Sequence, residues 1–151
     1  MISRIHPSPI GPLTLTSDGD AIVEIRFGAH AVMTGSSPAI EEAIRQLDEY
    51  FARKRSLFTL RLAPRGTEFQ LAVWRELERI PFGATISYRE LAERIGRPAA
   101  VRAVGAANGA NPIPIVIPCH RVIGANGSLT GYGGGLPIKQ ALLALEQHTL
   151  F

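Results

Sequence analysis

The sequence predicts an α+β chain in two parts: a small strand-rich stretch over residues 1–63, then a mostly helical one over residues 64–151. Three observations carry that expectation. Short aliphatic and β-branched runs, separated by Pro, Gly and Asp, fill the first thirty positions. Beyond Thr67, capping signals recur ahead of apolar residues at helical spacing. Between the two, Pro64-Arg65-Gly66 interrupts both patterns and reads as a linker.

Ile2–His6, Leu13–Ser17 and Ala21–Phe27 are the expected strands, with turns at Pro9-Ile10-Gly11-Pro12 and Asp18-Gly19-Asp20. Ser37-Pro38 has the form of an N-cap with proline at the first helical position. Ile40, Ala43, Ile44, Leu47 and Phe51 then fall on one helical face, and Leu57–Leu62 reads as a further strand. Thr67 and Gln70 fit a capping box that opens a helix running to about Arg79. Pro81-Phe82-Gly83 breaks it. Ser87 and Glu90 fit a second box, and Tyr88, Leu91, Ala92 and Ile95 form the inner face of the helix that follows, which Gly96 ends.

A helix over about Ala99–Asn108 follows, with Ala100, Val101, Val104 and Ala107 inward. Two short helices joined by a turn of about three residues resemble a helix-turn-helix, a pattern that many helical bundles share. The outward face of the second helix offers Arg102, Ala106 and Gly109, one long cation among residues small enough to permit close backbone approach. Asn111 to Pro118, with three prolines, is expected to take an extended path that delivers Cys119. Six glycines follow between Gly124 and Gly135, without the Gly-Lys-Ser/Thr of a nucleotide-binding loop. Pro137 opens a last helix with Ile138, Ala141, Leu142 and Leu145 inward and Glu146 on the flank.

Apolar residues make up 46% of the 151, and charged residues 19%, which suits a buried core and excludes wholesale disorder. The net charge of +3 arises entirely beyond residue 63, where nine Lys/Arg face six Asp/Glu. Such a bias is compatible with a polyanionic partner as well as with an ordinary surface. The single cysteine excludes an internal disulfide and a Cys-rich zinc module, and the four histidines are scattered, so no metal is expected. No apolar run has the length of a membrane span, and the N-terminus has no apolar signal core. A cytoplasmic protein with a free thiol and no membrane partner is the expectation.

Cys119 is followed by His120 and Arg121, a thiol beside a base and a cation, which is the composition of an activated nucleophile. A buried structural cysteine is the alternative. Successive residues of a strand point to opposite sides, so a Cys119–His120 contact requires a turn or a bridging water. Glu146 is a candidate to orient His120, or else a surface carboxylate.

Pro118-Cys119-His120-Arg121, with Asn111-Pro112 upstream and Gly134-Gly135 downstream, resembles the O6-alkylguanine-DNA alkyltransferases, the methylated-DNA–protein-cysteine methyltransferases. The likeness is strong from about Thr67 to His148, and the N-terminal third is similar in strand pattern and size. The resemblance implies a ribonuclease H-like N-terminal domain and a winged-helix-like, helix-turn-helix DNA-binding domain. It implies irreversible, single-turnover transfer of an alkyl group from O6-alkylguanine in duplex DNA to Cys119, without a cofactor. Binding would be from the minor groove, with the damaged base flipped out.

Arg102 matches the arginine that takes the place of the flipped base, and Ala106, Gly109 and Ser87 fall on the matching DNA-binding surface. Tyr88 matches the tyrosine that meets N3 of the guanine, and Asn111 the asparagine that buttresses the active-site turn. His120 matches the general base acting through water, and Glu146 the residue that orients it. Val122 and Gly133, with Gly134 beside it, match backbone contacts to the base. Some relatives carry serine at the position of Gly133. The resemblance implies a protein monomeric in solution that could assemble cooperatively on DNA, with O4-alkylthymine as a second candidate lesion. Three other readings compete: a lesion-binding relative without repair, a cysteine hydrolase, and a winged-helix regulator without chemistry.

Overall fold

A computed structural model describes residues 1–30, 32–124, 126–127 and 132–147. Gly131 of the glycine-rich run and His148 at the end of the resemblance lie outside the described residues. The chain divides into two compact units, residues 1–65 and 66–151.

In the first unit, β1 (Ile2–His6), β2 (Leu13–Ser17) and β3 (Ile22–Phe27) form an antiparallel sheet in sequence order. Ile2 pairs with Ser17 and Leu13 with Phe27 at the ends of the two ladders, and a bulge interrupts the second at Thr16/Ser17. The turn into β3 is closed by Asp18, whose Oδ1 accepts from the amides of Asp20 and Ala21, both at 2.9 Å. Helix α1 (Pro38–Phe51) is capped by Ser37, whose Oγ accepts from the Ile40 amide at 3.2 Å. Ile40, Ala43, Gln46, Leu47 and Tyr50 are its buried residues. Ile44 and Phe51, expected on that face, are half-buried.

The expected strand Leu57–Leu62 does not form. Its place is taken by an irregular segment with one parallel bridge, Ile22 to Leu62. A side chain does the work of a ladder: the Thr59 amide donates to Gln46 Oε1 at 2.9 Å, and Gln46 Nε2 donates to Thr59 Oγ1 at 3.0 Å. Gln46 is fully buried, and Leu57 is 68% exposed. β3 offers its outer edge to this segment, but the backbone bonds between them are those of Ile22 with Arg61 and Ala63, too few for a ladder.

In the second unit, Thr67 and Gln70 form the full reciprocal capping box that opens α2 (Glu68–Leu77). Ser87 caps α3 (Tyr88–Arg94) through the Glu90 amide, but the Glu90 carboxylate turns to Arg94, so the second box is half of the one expected. The connection to α4 (Val101–Gly109) occupies residues 95–100, longer than the three-residue turn expected, with Gly96 at φ +74° and a reverse turn from Arg97 to Ala100. Val104, Ala107 and Asn108 are the buried residues of α4, and Ala100 and Val101 are half-buried. Trp74 of α2 donates its indole N–H to the Ala107 carbonyl at 2.8 Å, which fixes α4 across α2.

Residues 111–118 are also not extended as the three prolines suggest. They curl into a compact turn: the Ile117 amide donates to the Ile113 carbonyl at 2.9 Å, and Ile115 sits at φ +74°. Asn111 closes it from within, accepting from the Ile113 amide at 3.0 Å and donating to the Ile117 carbonyl at 2.7 Å. Proline restricts its own φ and its predecessor, but a side chain that satisfies two backbone groups can still bend the remainder. A 3-10 helix, Cys119–Arg121, then leads into β5 (Val122–Ile123), which pairs in parallel with β4 (Ile86–Ser87). The last helix, α5 (Leu136–Gln147), buries Lys139, Leu142, Leu143 and Glu146. Its inner face is therefore rotated from the one expected: Ala141 is exposed, and Ile138 and Leu145 are half-buried.

Replacing Gln46 by Leu should leave the Thr59 amide without an acceptor and lower unfolding free energy by about 1–3 kcal/mol in urea titration. In hydrogen exchange, Thr59 should lose protection while Leu15, within the β ladder, keeps it.

Candidate active site

The turn that the sequence required at Cys119 is supplied by the 3-10 helix. It places the thiol and the imidazole on one short coil rather than on opposite sides of a strand. Cys119 is 5% exposed, and His120 is fully buried. His120 Nε2 lies 2.6 Å from Glu146 Oε2. Arg121 grips the same carboxylate with both arms, Nε to Oε1 at 2.7 Å and an Nη to Oε2 at 3.0 Å. Its other Nη donates to the Ile80 carbonyl at 2.7 Å, and its guanidinium lies 5.9 Å from the centre of the Phe82 ring. Lys139, also fully buried, donates from Nζ to the Val122 carbonyl at 2.7 Å and lies 6.0 Å from the centre of the Tyr88 ring.

These contacts set the protonation of the cluster. Burial pushes the Glu146 carboxyl up, but hydrogen bonds from His120 and Arg121 outweigh it and bring it down to about 2. An ionised carboxylate only accepts, so the proton it faces is on Nε2 of His120, and Nδ1 of the neutral ring keeps its lone pair. Burial holds His120 below its ordinary value; Glu146 opposes that, and the charges of Arg121 and Lys139 reinforce it. The Cys119 thiol is pushed up by burial, against hydrogen bonding with Asn111, the charge of Lys139 and hydrogen bonding with Tyr132. The resting pair is thus a protonated thiol beside a neutral base. Reaction of the sulfur as a thiolate then requires a proton acceptor at the moment of attack.

Comparison with known proteins adds an independent line. A family model for the DNA-binding domain of 6-O-methylguanine DNA methyltransferase matches residues 68–148, and one for its ribonuclease-like domain matches residues 1–64. The chain belongs to the 6-O-methylguanine DNA methyltransferase family. A methylated-DNA–protein-cysteine methyltransferase of Methanosarcina acetivorans is 49% identical over 153 residues, covering 97% of this chain and 98% of the relative. One from Mycolicibacterium paratuberculosis is 52% identical over 150 residues, covering 95% and 91%. The crystal structure of Mycobacterium tuberculosis OGT in complex with DNA superposes with a TM-score of 0.91 at 49% identity, covering 97% of this chain and 93% of that one.

Within this 6-O-methylguanine DNA methyltransferase fold, the expected site residues fall into two groups. Cys119, His120, Glu146 and Asn111 are brought together, and Glu146 is a core residue rather than a flank residue. Tyr88 begins α3 and joins this neighbourhood through Lys139. Val122 is buried, with its carbonyl accepting from Lys139. Arg102, Ala106 and Gly109 share the exposed face of α4, away from its buried Val104 and Asn108. Ser87 is engaged as the cap of α3. Gly133 is exposed and Gly134 half-buried, and among the described residues a Cβ at Gly133 would meet nothing within 4 Å. Among the described residues, no three His, Cys, Asp or Glu side chains converge to hold a metal ion, and no helix is long and apolar enough to cross a membrane.

Sequence reasoning missed Lys139, Asn108 and Tyr132. Asn108 is 2% exposed and donates from Nδ2 to the Cys119 carbonyl at 3.3 Å. The signal for Lys139 was its position three residues before Leu142 and seven before Glu146, on their helical face, where a cation reads as an error unless it has a buried acceptor.

Linkage gives a stability profile with a defined sign. Glu146 is depressed from 4.5 to about 2, so its contribution is full above pH 4.5 and is lost as pH falls towards 2. His120 is depressed below 6.5, so its contribution is present above pH 6.5 and lost below. Cys119 is raised above 9.0, so its contribution is present below pH 9.0 and lost as pH rises through the folded value. Urea unfolding should show a plateau between about pH 6.5 and 9 and a decline on both sides, steepest below 4.5. The acid decline should be smaller in Glu146→Gln.

Proposed function

We propose that this chain repairs DNA by moving an alkyl group, methyl in the simplest case, from O6 of guanine to Cys119. The observation that carries the reading is the single thiol on a 3-10 turn, followed by a buried imidazole held by an ionised carboxylate at 2.6 Å. The chain does so as a member of a family whose curated relatives are named for cysteine methylation by methylated DNA.

In this reading His120 accepts the thiol proton at Nδ1 through a water molecule, and Glu146 stabilises the imidazolium that forms. The sulfur attacks the alkyl carbon, the S–C bond forms, and the C–O6 bond breaks with its electron pair passing to guanine. Tyr88 donates a hydrogen bond to N3, and the departing base recovers one proton, so that thiol and alkylguanine become thioether and guanine. No acyl or phosphoryl intermediate exists for water to cleave, so each molecule acts once.

The Val122 carbonyl, with one donor from Lys139, keeps a lone pair for the guanine amino group. The Cys119 carbonyl already accepts from the Val122 amide and from Asn108. Gly133 supplies a backbone donor for O6, with Gly134 beside it, and Asn111 holds the turn beneath the sulfur.

The duplex partner meets the exposed face of α4. Arg102 enters the stack in place of the flipped base, the small Ala106 and Gly109 allow the helix to lie close, and the Ser87 end of α3 meets the backbone. The chain acts as a monomer in solution within the cytoplasm. Assembly along DNA and action on O4-alkylthymine are further properties of the same reading.

Incubation with duplex DNA carrying O6-methylguanine should add one methyl group to Cys119, to about one equivalent per chain, measured by intact mass and peptide mapping. Catalytic turnover, or transfer retained in Cys119→Ala, overturns the assignment.

Arg102→Ala should slow transfer from duplex DNA by about tenfold or more and change reaction with free O6-benzylguanine by less than about threefold. Equal losses on both substrates refute the role given to Arg102.

A further inference from the structure

We propose that Arg121 is a positioning residue that keeps His120 available as a base, by occupying both oxygens of Glu146 and so holding the proton of that pair on Nε2. This rests on the reading of His120 as the base for Cys119.

Glu146 is 1% exposed and meets His120 through one short contact and Arg121 through two. The guanidinium is itself 6% exposed and tied to the Ile80 carbonyl, so its fork is fixed on both sides. With Arg121 in place, carboxylate and guanidinium cancel, and the imidazole beside them has no reason to carry charge. Remove the guanidinium charge and a buried carboxylate faces an imidazole alone at 2.6 Å. Such an anion is costly to leave uncompensated, and a proton must be taken up.

Both places for that proton disable the base. On His120 it makes imidazolium, with no lone pair at Nδ1. On Glu146 it turns the carboxyl into a donor towards Nε2, which moves the ring proton to Nδ1, the atom that must accept from the thiol. Arg121 thus lowers the intrinsic strength of the base but leaves it empty and correctly oriented. That is the more useful state for a group that must take up a proton only during attack.

The charged and titratable groups around His120 enter this balance, and Tyr132, kept protonated by burial, faces Cys119 and Glu146. The 3-10 helix contributes Cys119 and Arg121, and α5 contributes Glu146 and Lys139. α4 presents the neutral Asn108, and the buried residues of α2 are Val73, Trp74 and Leu77. Lys139 donates its ammonium to the Val122 carbonyl at 2.7 Å.

The test compares Arg121→Gln, which removes the charge, with Arg121→Lys, which keeps it, using the full chain and free O6-benzylguanine. The rate of Cys119 alkylation is followed by mass spectrometry between pH 5 and 9. In Arg121→Gln the acid limb of the pH–rate profile should move up by at least about one unit. On the acid side of the limb transfer should fall by up to about tenfold for each unit of displacement, and it should recover towards pH 9. In Arg121→Lys the limb should stay within about half a unit of the unaltered protein, whatever the absolute rate. A Gln profile lowered in parallel with an unmoved limb, or a Lys profile displaced by a full unit, overturns the proposal.

Should the Gln variant fail to fold, the Lys variant alone still decides. Nitrogen NMR of His120 in the unaltered protein gives a second decision: a neutral ring protonated on Nε2 at pH 7 is required, and a doubly protonated ring overturns the proposal. These outcomes are distinct from failure of the repair reading, which would appear as no alkyl transfer to Cys119 in the unaltered protein.

Discussion

A carboxylate at 1% exposure persists as an anion in an apolar interior only when donors surround it. Glu146 has them from two directions, the imidazole of His120 and the fork of Arg121, and both donors come from the three-residue 3-10 helix that also carries Cys119. Helix α5, which also buries Leu142 and Leu143, is thereby locked to that coil by charge. Removing either partner would strand the other, so the arrangement is held by the penalty for breaking it rather than by a large net gain.

Around this contact, each further constraint serves to aim the coil. Asn111 closes the preceding turn and forces Ile115 into a left-handed conformation that a β-branched residue rarely adopts. The two-residue parallel ladder of β4 with β5 pairs Ile86 with Val122 and Ser87 with Ile123, so the strand that follows the coil is tied to the strand that leads into Tyr88. Lys139 then pins Val122 from α5. Lattices of this kind, built on short elements, need side chains to replace the ladders and helix turns they lack. The buried polar groups of this unit, Asn108, His120, Arg121, Lys139 and Glu146, are concentrated in this neighbourhood.

The parts of this arrangement that were legible in the sequence are those governed by local chemistry. Caps at Ser37, Thr67 and Ser87 and the three strands of the first unit depend on neighbours within a few residues, and the structure has them. The misreadings occur where a distant polar group took over. Gln46 replaced a strand pairing at Thr59, and Asn111 bent a proline-rich segment that local rules make extended. In α5, apolar periodicity pointed to Ile138 and Ala141, but the face that turned inward carries Lys139 and Glu146. Hydrophobic spacing cannot find a face whose burial is compensated by ion pairing and a carbonyl acceptor. Glu146 was found as a candidate only by chemistry, as the carboxylate a histidine base needs.

The protonation of the thiol bears on selectivity under the proposed reading. A cysteine held as thiolate would be open to any electrophile or oxidant that reached it. An acceptor that is used once cannot recover from such a reaction. Burial instead pushes the Cys119 thiol up and keeps it protonated, while burial and the Arg121 charge hold His120 below its ordinary value against the pull of Glu146. The reactive sulfur then exists only when a proton transfer and an attack on a nearby carbon coincide. That requires a base seated against Tyr88 and the Gly133 loop. Discrimination thus lies in what can be brought to a sulfur that is 5% exposed, rather than in the intrinsic reactivity of the sulfur itself. Under the same reading the exposed α4 face with Arg102 brings duplex DNA to the site, and the surroundings of the thiol select the base.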